Sequence, residues 1–206
     1  MRPSAPTADI DQQVAVLFAL VTEALAKATD ALLTGDPMAG QDVVDRDVAI
    51  DRLTREVGEL VWDQIDSHAA QGDYLRHLVG VLLMLPELER SADLAEHIAQ
   101  RAVENLGVEM SPFSRGIIQR MTEVALGMWQ TAGEAYAERT AQGVALSEDD
   151  EEIDILHERL TREVATGAMP AAVAAQVTLL ARFYERLGDH AVNLARRVGT
   201  FGTGGR

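Results

Sequence analysis

Apolar residues recur at helical spacing along nearly the whole chain, and the breaks between such runs are short and rich in Gly, Pro, Ser and Asp. Six helices are predicted. The first begins near Asp9 and stops before Gly35-Asp36-Pro37. The second runs from about Met38 to His68 and ends at Gln71-Gly72. Asp73 is expected to cap a third, which continues through Pro86, with a kink there, to about Leu106. Ser111-Pro112 pairs a cap with proline in the first turn and starts the fourth helix, which ends near Gly143. Ser147, with Asp150 three residues on, is expected to cap the fifth in the manner of a capping box. Gly167 and Pro170 separate it from the sixth, ending at Gly199. No stretch alternates as a strand does, and aromatic residues make up only 4% of the chain.

The helices fall into two groups of three, and the groups repeat one another. Asp47-Val48-Ala49-Ile50-Asp51-Arg52-Leu53 matches Asp150-Glu151-Glu152-Ile153-Asp154-Ile155-Leu156 at an offset of 103 residues, and Val57 and Val61 then fall on Leu160 and Val164. Glu89 to Ala99 matches Glu185 to Ala195 at an offset of 96, the fifth helix being the shorter. The expected fold is all-α: two tandem antiparallel three-helix bundles related by internal duplication. Their boundaries are expected at 9–107 and 111–199, with the glycine-rich residues 200–206 expected as a disordered tail.

Composition narrows the function. The 206 residues carry 33 acidic and 18 basic side chains, a net charge of −15 that disfavours nucleic acid and anionic lipid and favours cations and basic protein surfaces. Cysteine is absent, so neither disulfides nor thiolate metal sites are available. The apolar run Val14–Val21 is preceded by Asp9 and Asp11, the wrong sign for a signal peptide, and Val79–Leu85 is too short to span a bilayer. A cytoplasmic protein with no direct membrane insertion is expected. No Gly-rich phosphate loop, nucleophile elbow or zinc-protease helix is present, so the expectation is a protein that binds and regulates, not an enzyme.

Each repeated segment holds two carboxylates four residues apart, hence one helical turn apart on one face. The pairs are Asp47 with Asp51, Glu89 with Asp93, Asp150 with Asp154, and Glu185 with Asp189. Glu89 and Asp93 lie in line with Leu75, Leu78, Leu82 and Leu85, while Asp47 and Asp51 sit on the shoulder of a stripe made by Val43, Ile50, Thr54 and Val61. Four carboxylates converging from two helices must share protons, draw in arginines or bind a cation. An all-oxygen set suits Mg²⁺, Mn²⁺ or Ca²⁺, and iron also fits. The alternative is a pair of salt-bridge networks involving Arg90 and Arg186.

Glu89-Arg90-Ser91-Ala92-Asp93 and Tyr184 to Arg196, each with its upstream Asp-x-x-Ile-Asp, resemble the PhoU family over about Asp11 to Val198. The second copy is the more specific match. In the first, His97 stands where the family has an asparagine like Asn193, and Ser91-Ala92 replaces an apolar-Gly pair. The resemblance implies a homodimer that restrains the phosphate-starvation response. It would do so by linking the ATPase subunit of a phosphate ABC transporter to a membrane sensor histidine kinase. It also implies that the eight carboxylates hold metal ions, with iron, manganese, magnesium or zinc as the candidates.

His157 shares a face with Asp150 and Asp154 and is a secondary candidate ligand, as is Asn193, one turn past Asp189. His97 and His190 are expected at the surface, and Trp62 and Trp129 in core or interface packing. Two other functions compete. A ferritin-like di-metal oxidase needs Glu-x-x-His on two helices, and the chain offers only Asp154-x-x-His157. A metal-free scaffold would dock basic partners through the acidic clusters.

Overall fold

The computed structural model describes residues 5–67, 70–140 and 146–202, all of whose regular structure is helical. Six long helices carry the fold: α1 (Ala5–Thr34), α2 (Pro37–Asp66), α3 (Gly72–Val103), α5 (Pro112–Glu138), α6 (Ser147–Ala165) and α7 (Ala171–Gly202). A single turn, α4 (Leu106–Glu109), was not expected. It forms because Asn105 adopts φ 61° and stops α3 at Val103, earlier than the periodicity suggested.

Side-chain caps fix the starts of α2 and α5. Asp36 accepts from the amides of Met38 and Ala39 at 3.0 Å, and Ser111 accepts from Ser114 at 3.0 Å, each followed by proline in the first turn. Two expected caps are not caps. Gln71 holds the position before α3, and Asp73 is already inside the first turn, paired with Arg76. Leu146 holds the position before α6, and Ser147 is already helical; the buried Leu146 side chain anchors that end instead. The acids Glu148, Asp149 and Asp150 in this first turn face the positive end of the helix dipole. Pro86 lies on the exposed side of α3, and the helix continues through it.

Helix ends differ from expectation at three further places. α2 stops at Asp66, and His68 lies outside the described residues. α5 stops at Glu138, where Arg139 takes φ 54°, and Gly143 also lies outside them. α7 continues past Gly199 to Gly202; of the expected tail, 203–206 lie outside the described residues.

Within each unit the three helices pack on one another, α1 with α2 and α3, and α5 with α6 and α7. The units join through α1 against α5 and α3 against α7, leaving α2 and α6 on the outside. Both seams are antiparallel and nearly two-fold. Across α1 and α5, Phe18 faces Gly133 while Thr29 bonds Thr122 at 3.3 Å. The buried contents have diverged: Phe18 also packs against Trp129 and Tyr136, whereas Thr29 and Thr122 belong to a polar group completed by the Tyr184 hydroxyl. Burial pushes the Tyr184 phenol up to about 12, against the lowering pull of those hydroxyls.

Two polar nodes brace the arrangement. Asp11 of α1 accepts from Tyr136 at 2.8 Å and Arg139 at 2.6 Å. His77 Nε2 of α3 stands 2.8 Å from the same carboxylate. Burial opposes ionisation of Asp11, and the combined pull of His77, Tyr136 and Arg139 lowers it nevertheless. Glu163 of α6 accepts from both Ser111 and Ser114, tying the end of α6 to the start of α5.

Candidate functional site

The carboxylate pairs sit where α2 crosses α3 and where α6 crosses α7. On α2, buried Val43, Ile50, Thr54 and Val57 form the inward stripe, and Asp47 and Asp51 flank it half-buried. On α3 the inward stripe is Leu78, Val81, Leu85, Leu88, Ala92 and Ala95. Glu89 therefore lies outside the core stripe and is exposed, and Asp93 is half-buried at its margin. The expected alignment with Leu75 fails for the same reason: Leu75 is itself 37% exposed, because the stripe rotates slowly around a helix this long.

Asp47, Asp51 and Asp93 come together. One oxygen from each lies within 4.8 Å of the others, a spacing that one hard cation can bridge. Asp51 Oδ1 is buried without a hydrogen-bond partner among the described residues. Burial, then Asp51, Glu96, Asp93 and Glu89, push Asp47 up to about 7. Asp93 is raised too, by burial and Asp51, against the opposing pull of His97 and Arg90. Glu89 contributes charge from the rim. Glu96, one turn beyond Ala92, adds its field to Asp47 and was missed in the sequence because the second unit has Val192 in its place.

The second quartet is looser. Burial, then Asp189 and Asp154, raise Asp150. Burial is likewise the largest influence on Glu185, opposed by Arg182 and reinforced by Asp189. Glu185 pairs with Arg182 through one oxygen, while Oε2 is buried with no partner. Asp154 and Asp189 are exposed. Among the described residues, only the first unit gathers three acidic or histidine ligand atoms within 4.8 Å. His157 is half-buried and near enough to lower Glu185; Asn193 is exposed.

Arg90 and Arg186 close no ion pair among the described residues, so the expected networks around them do not form; Arg182 holds that role on α7. His97 and His190 are half-buried, each against a residue of the facing helix. His97 stacks on Phe183 with ring centroids 5.4 Å apart, and His190 Nδ1 lies 2.8 Å from the buried Ser91 hydroxyl across the α3–α7 seam. Ser91 donates its proton to the Glu87 carbonyl, so His190 Nδ1 is the donor in that pair. Trp129 is fully buried and donates to the Leu187 carbonyl at 3.1 Å, whereas Trp62 is 56% exposed. No helix among the described residues is long and apolar enough to cross a membrane.

Comparison with known proteins agrees with this duplicated plan. The sequence model of the PhoU domain matches residues 14–102 and again 118–198. The chain is 29% identical, over 95% of its length and 84% of the relative's, to a Rhizobium meliloti (strain 1021) protein named phosphate-specific transport system accessory protein PhoU homolog. A Mycobacterium tuberculosis (strain ATCC 25618 / H37Rv) protein named phosphate-specific transport system accessory protein PhoU homolog 2 is 30% identical, over 92% of this chain and 91% of that one. Among solved structures, PhoU from Pseudomonas aeruginosa superposes with a TM-score of 0.88 at 24% identity, over 96% of this chain and 97% of that one. The phosphate transport system regulatory protein PhoU from Streptococcus pneumoniae gives 0.87 at 20% identity, over 96% and 95%.

Proposed function

This chain belongs to the PhoU family, and from that premise we propose that it is an accessory regulator of phosphate uptake, as its relatives' names describe them. It acts without catalysis, as a cytoplasmic homodimeric adaptor that restrains phosphate-starvation signalling. Its partners are the ATPase subunit of a phosphate ABC transporter and a membrane sensor histidine kinase. The two units, 9–107 and 111–199, each carry one metal-binding carboxylate face.

The observation that carries the metal part is the Asp47–Asp51–Asp93 cluster, with three oxygens mutually within 4.8 Å, in which the Asp51 carboxylate also has one oxygen buried without a partner. These residues fit a hard divalent cation, with Glu89 supplying charge from the rim. Asp150, Asp154, Glu185 and Asp189 form the second face, His157 and Asn193 being its secondary ligands. When bound, the ion supplies neutralising charge. The chain's own residues hold the α2–α3 and α6–α7 crossings in a fixed relation and present them to a partner. Which of iron, manganese, magnesium or zinc is preferred follows from loading experiments.

A second reading, a metal-free acidic scaffold, is favoured in the second unit by the Arg182–Glu185 pair, which compensates part of the charge without an ion. Elemental analysis separates the two readings. Protein purified without chelator is compared with a variant carrying alanine at all eight positions. Near-stoichiometric metal in the first and none in the folded second supports metal binding. Absence from both, after incubation with Mg²⁺, Mn²⁺ and Fe²⁺, rejects it and leaves the scaffold.

A further inference from the structure

Beside the first carboxylate cluster, α1, α2 and α3 enclose an apolar hollow of about 150 Å³. Leu20 and Ala24 of α1, Val43 and Ile50 of α2, and Ala92 of α3 make its walls. A hollow of this size and lining is large enough for a benzene ring or a branched aliphatic side chain. The second unit shows what a filled version looks like. The buried positions Val14, Leu17, Val21, Leu25, Ala28 and Leu32 of α1 stand in register with Ile118, Met121, Ala125, Trp129, Ala132 and Tyr136 of α5. That register sets Ala24 against Met128, just as the repeats of the other helices set Val43 against Leu146 and Ala92 against Gly188.

In the second unit Met128 and Leu146 are buried. A Cβ at Gly188 would meet Ile153 Cδ1 at 3.0 Å and Met128 Cε at 3.7 Å, so the space is closed. Across the outside of that seam Arg120 grips Glu152 through two bonds of 2.7 and 2.9 Å. The first unit has Ala49 where the second has Glu152, and the seam stays open.

Charge around the opening is one-sided once internal pairs are counted. Lys27 is held by Glu23 and Arg46 by Asp42, each one turn away. Asp47 and Glu96 on the rim have no cation within ion-pair distance among the described residues, and Asp51 and Asp93 lie just beyond. Apolar walls with an uncompensated acidic rim complement an apolar side chain carried beside a lysine or arginine.

We infer that this hollow is the anchor pocket for a basic, amphipathic helix of a partner protein, which inserts one apolar side chain between α1, α2 and α3 and sets its cationic neighbour against Asp47 and Glu96. This deepens the adaptor reading and rests on it for the partner's identity. It also explains why the duplication is asymmetric: one copy is packed shut for stability, and the other keeps a void that packing alone would have filled.

The test uses the full chain, freed of metal, and two variants that import the second unit's residues, Ala24→Met and Val43→Leu. The probe is the 4-fluorobenzylammonium ion, an apolar ring beside a cation, followed by ¹⁹F NMR, with 4-fluorobenzoate as the anionic control. Saturable binding to the natural chain is expected, at least tenfold weaker in either folded variant and at least tenfold weaker for the benzoate. No saturable binding, or equal affinity in the filled variants, overturns the pocket. In parallel, the cognate transporter ATPase subunit is titrated. Its affinity falls at least tenfold in Ala24→Met if the pocket anchors it. Unchanged affinity overturns the inference, and so does a shifted monomer–dimer balance in its place, which would make a second copy the occupant. A natural chain that takes the ammonium ion but binds neither transporter ATPase nor kinase defeats the transport reading while the pocket's chemistry stands.

Discussion

Arg197 of α7 reaches Glu87 of α3 at 3.1 Å, and the counterparts of these two residues in the other copy, Arg101 and Phe183, also meet, with the guanidinium 6.0 Å from the ring centroid. One repeated contact is thus an ion pair on one side of the pseudo-two-fold axis and a cation–π contact on the other. The seam between the units is nearly symmetric in position but not in chemistry. Glu87 Oε2 is buried without a partner, so Arg197 is the main compensation for that charge. Arg197→Ala is expected to destabilise the protein by about 1–3 kcal/mol, and Glu87→Gln by less, because only the first leaves an unpaired buried charge. Urea denaturation of both variants measures the difference; an equal cost would remove the asymmetry claimed for the pair.

The first cluster is expected to dominate cation binding. Asp51→Asn, which keeps shape and removes charge, should lower affinity for Mg²⁺ or Mn²⁺ at least tenfold by calorimetric titration. The same change should hold or raise the melting temperature of the metal-free protein, since it relieves repulsion with Asp47 and Asp93. A metal-free melting temperature that falls would mean the carboxylate is structurally required.

Asp47 makes stability depend on pH. Its proton is held more tightly in the folded protein, at about 7, than at the unfolded value of 3.8. The stabilisation from that proton is full below the unfolded value and is lost as pH rises through about 7. Metal-free protein is therefore expected to lose stability between about pH 4 and 7 relative to an Asp47→Asn variant. Cation affinity should rise over the upper part of that range, because the ion displaces the proton. Parallel melting curves at pH 5 and pH 8 for the two proteins provide the check.

Gly107 is a packing constraint of another kind. A Cβ there would sit 1.7 Å from the Leu32 carbonyl oxygen, at the crossing of α4 and the end of α1. Backbone cannot yield as a side-chain tip does, so Gly107→Ala is expected to cost on the order of 3 kcal/mol, at the upper end of overpacking costs. Thermal denaturation together with hydrogen exchange near α4 reads this; exchange confined to native levels would show that the crossing adapts.

The number of long helices, their order and the duplication were legible in the sequence because they depend on local periodicity, turn residues and repetition. Ser111-Pro112 shows why: cap and first turn are satisfied within four residues. The carboxylate pairs were legible for the same reason, since four-residue spacing fixes a shared helical face.

What the sequence could not supply was anything decided by how one helix lies against another. Local patterning marked Glu89 as core-facing, and the α2–α3 crossing left it exposed. Adjacency along the helix suggested the Arg90 and Arg186 networks, yet neither closes an ion pair among the described residues, and Glu185 pairs with Arg182 instead. His190 found its partner in Ser91, far along the chain, through the antiparallel α3–α7 seam. The sequence alone therefore determined that this is a duplicated all-helical protein with four paired carboxylate motifs, because periods and repeats are properties of neighbours along the chain. The tertiary structure alone decided that Asp47, Asp51 and Asp93 converge while the second quartet stays looser, and that one unit is packed shut where the other is hollow. Those outcomes depend on crossing angles and side-chain volumes summed over three helices, which no single stretch of sequence encodes.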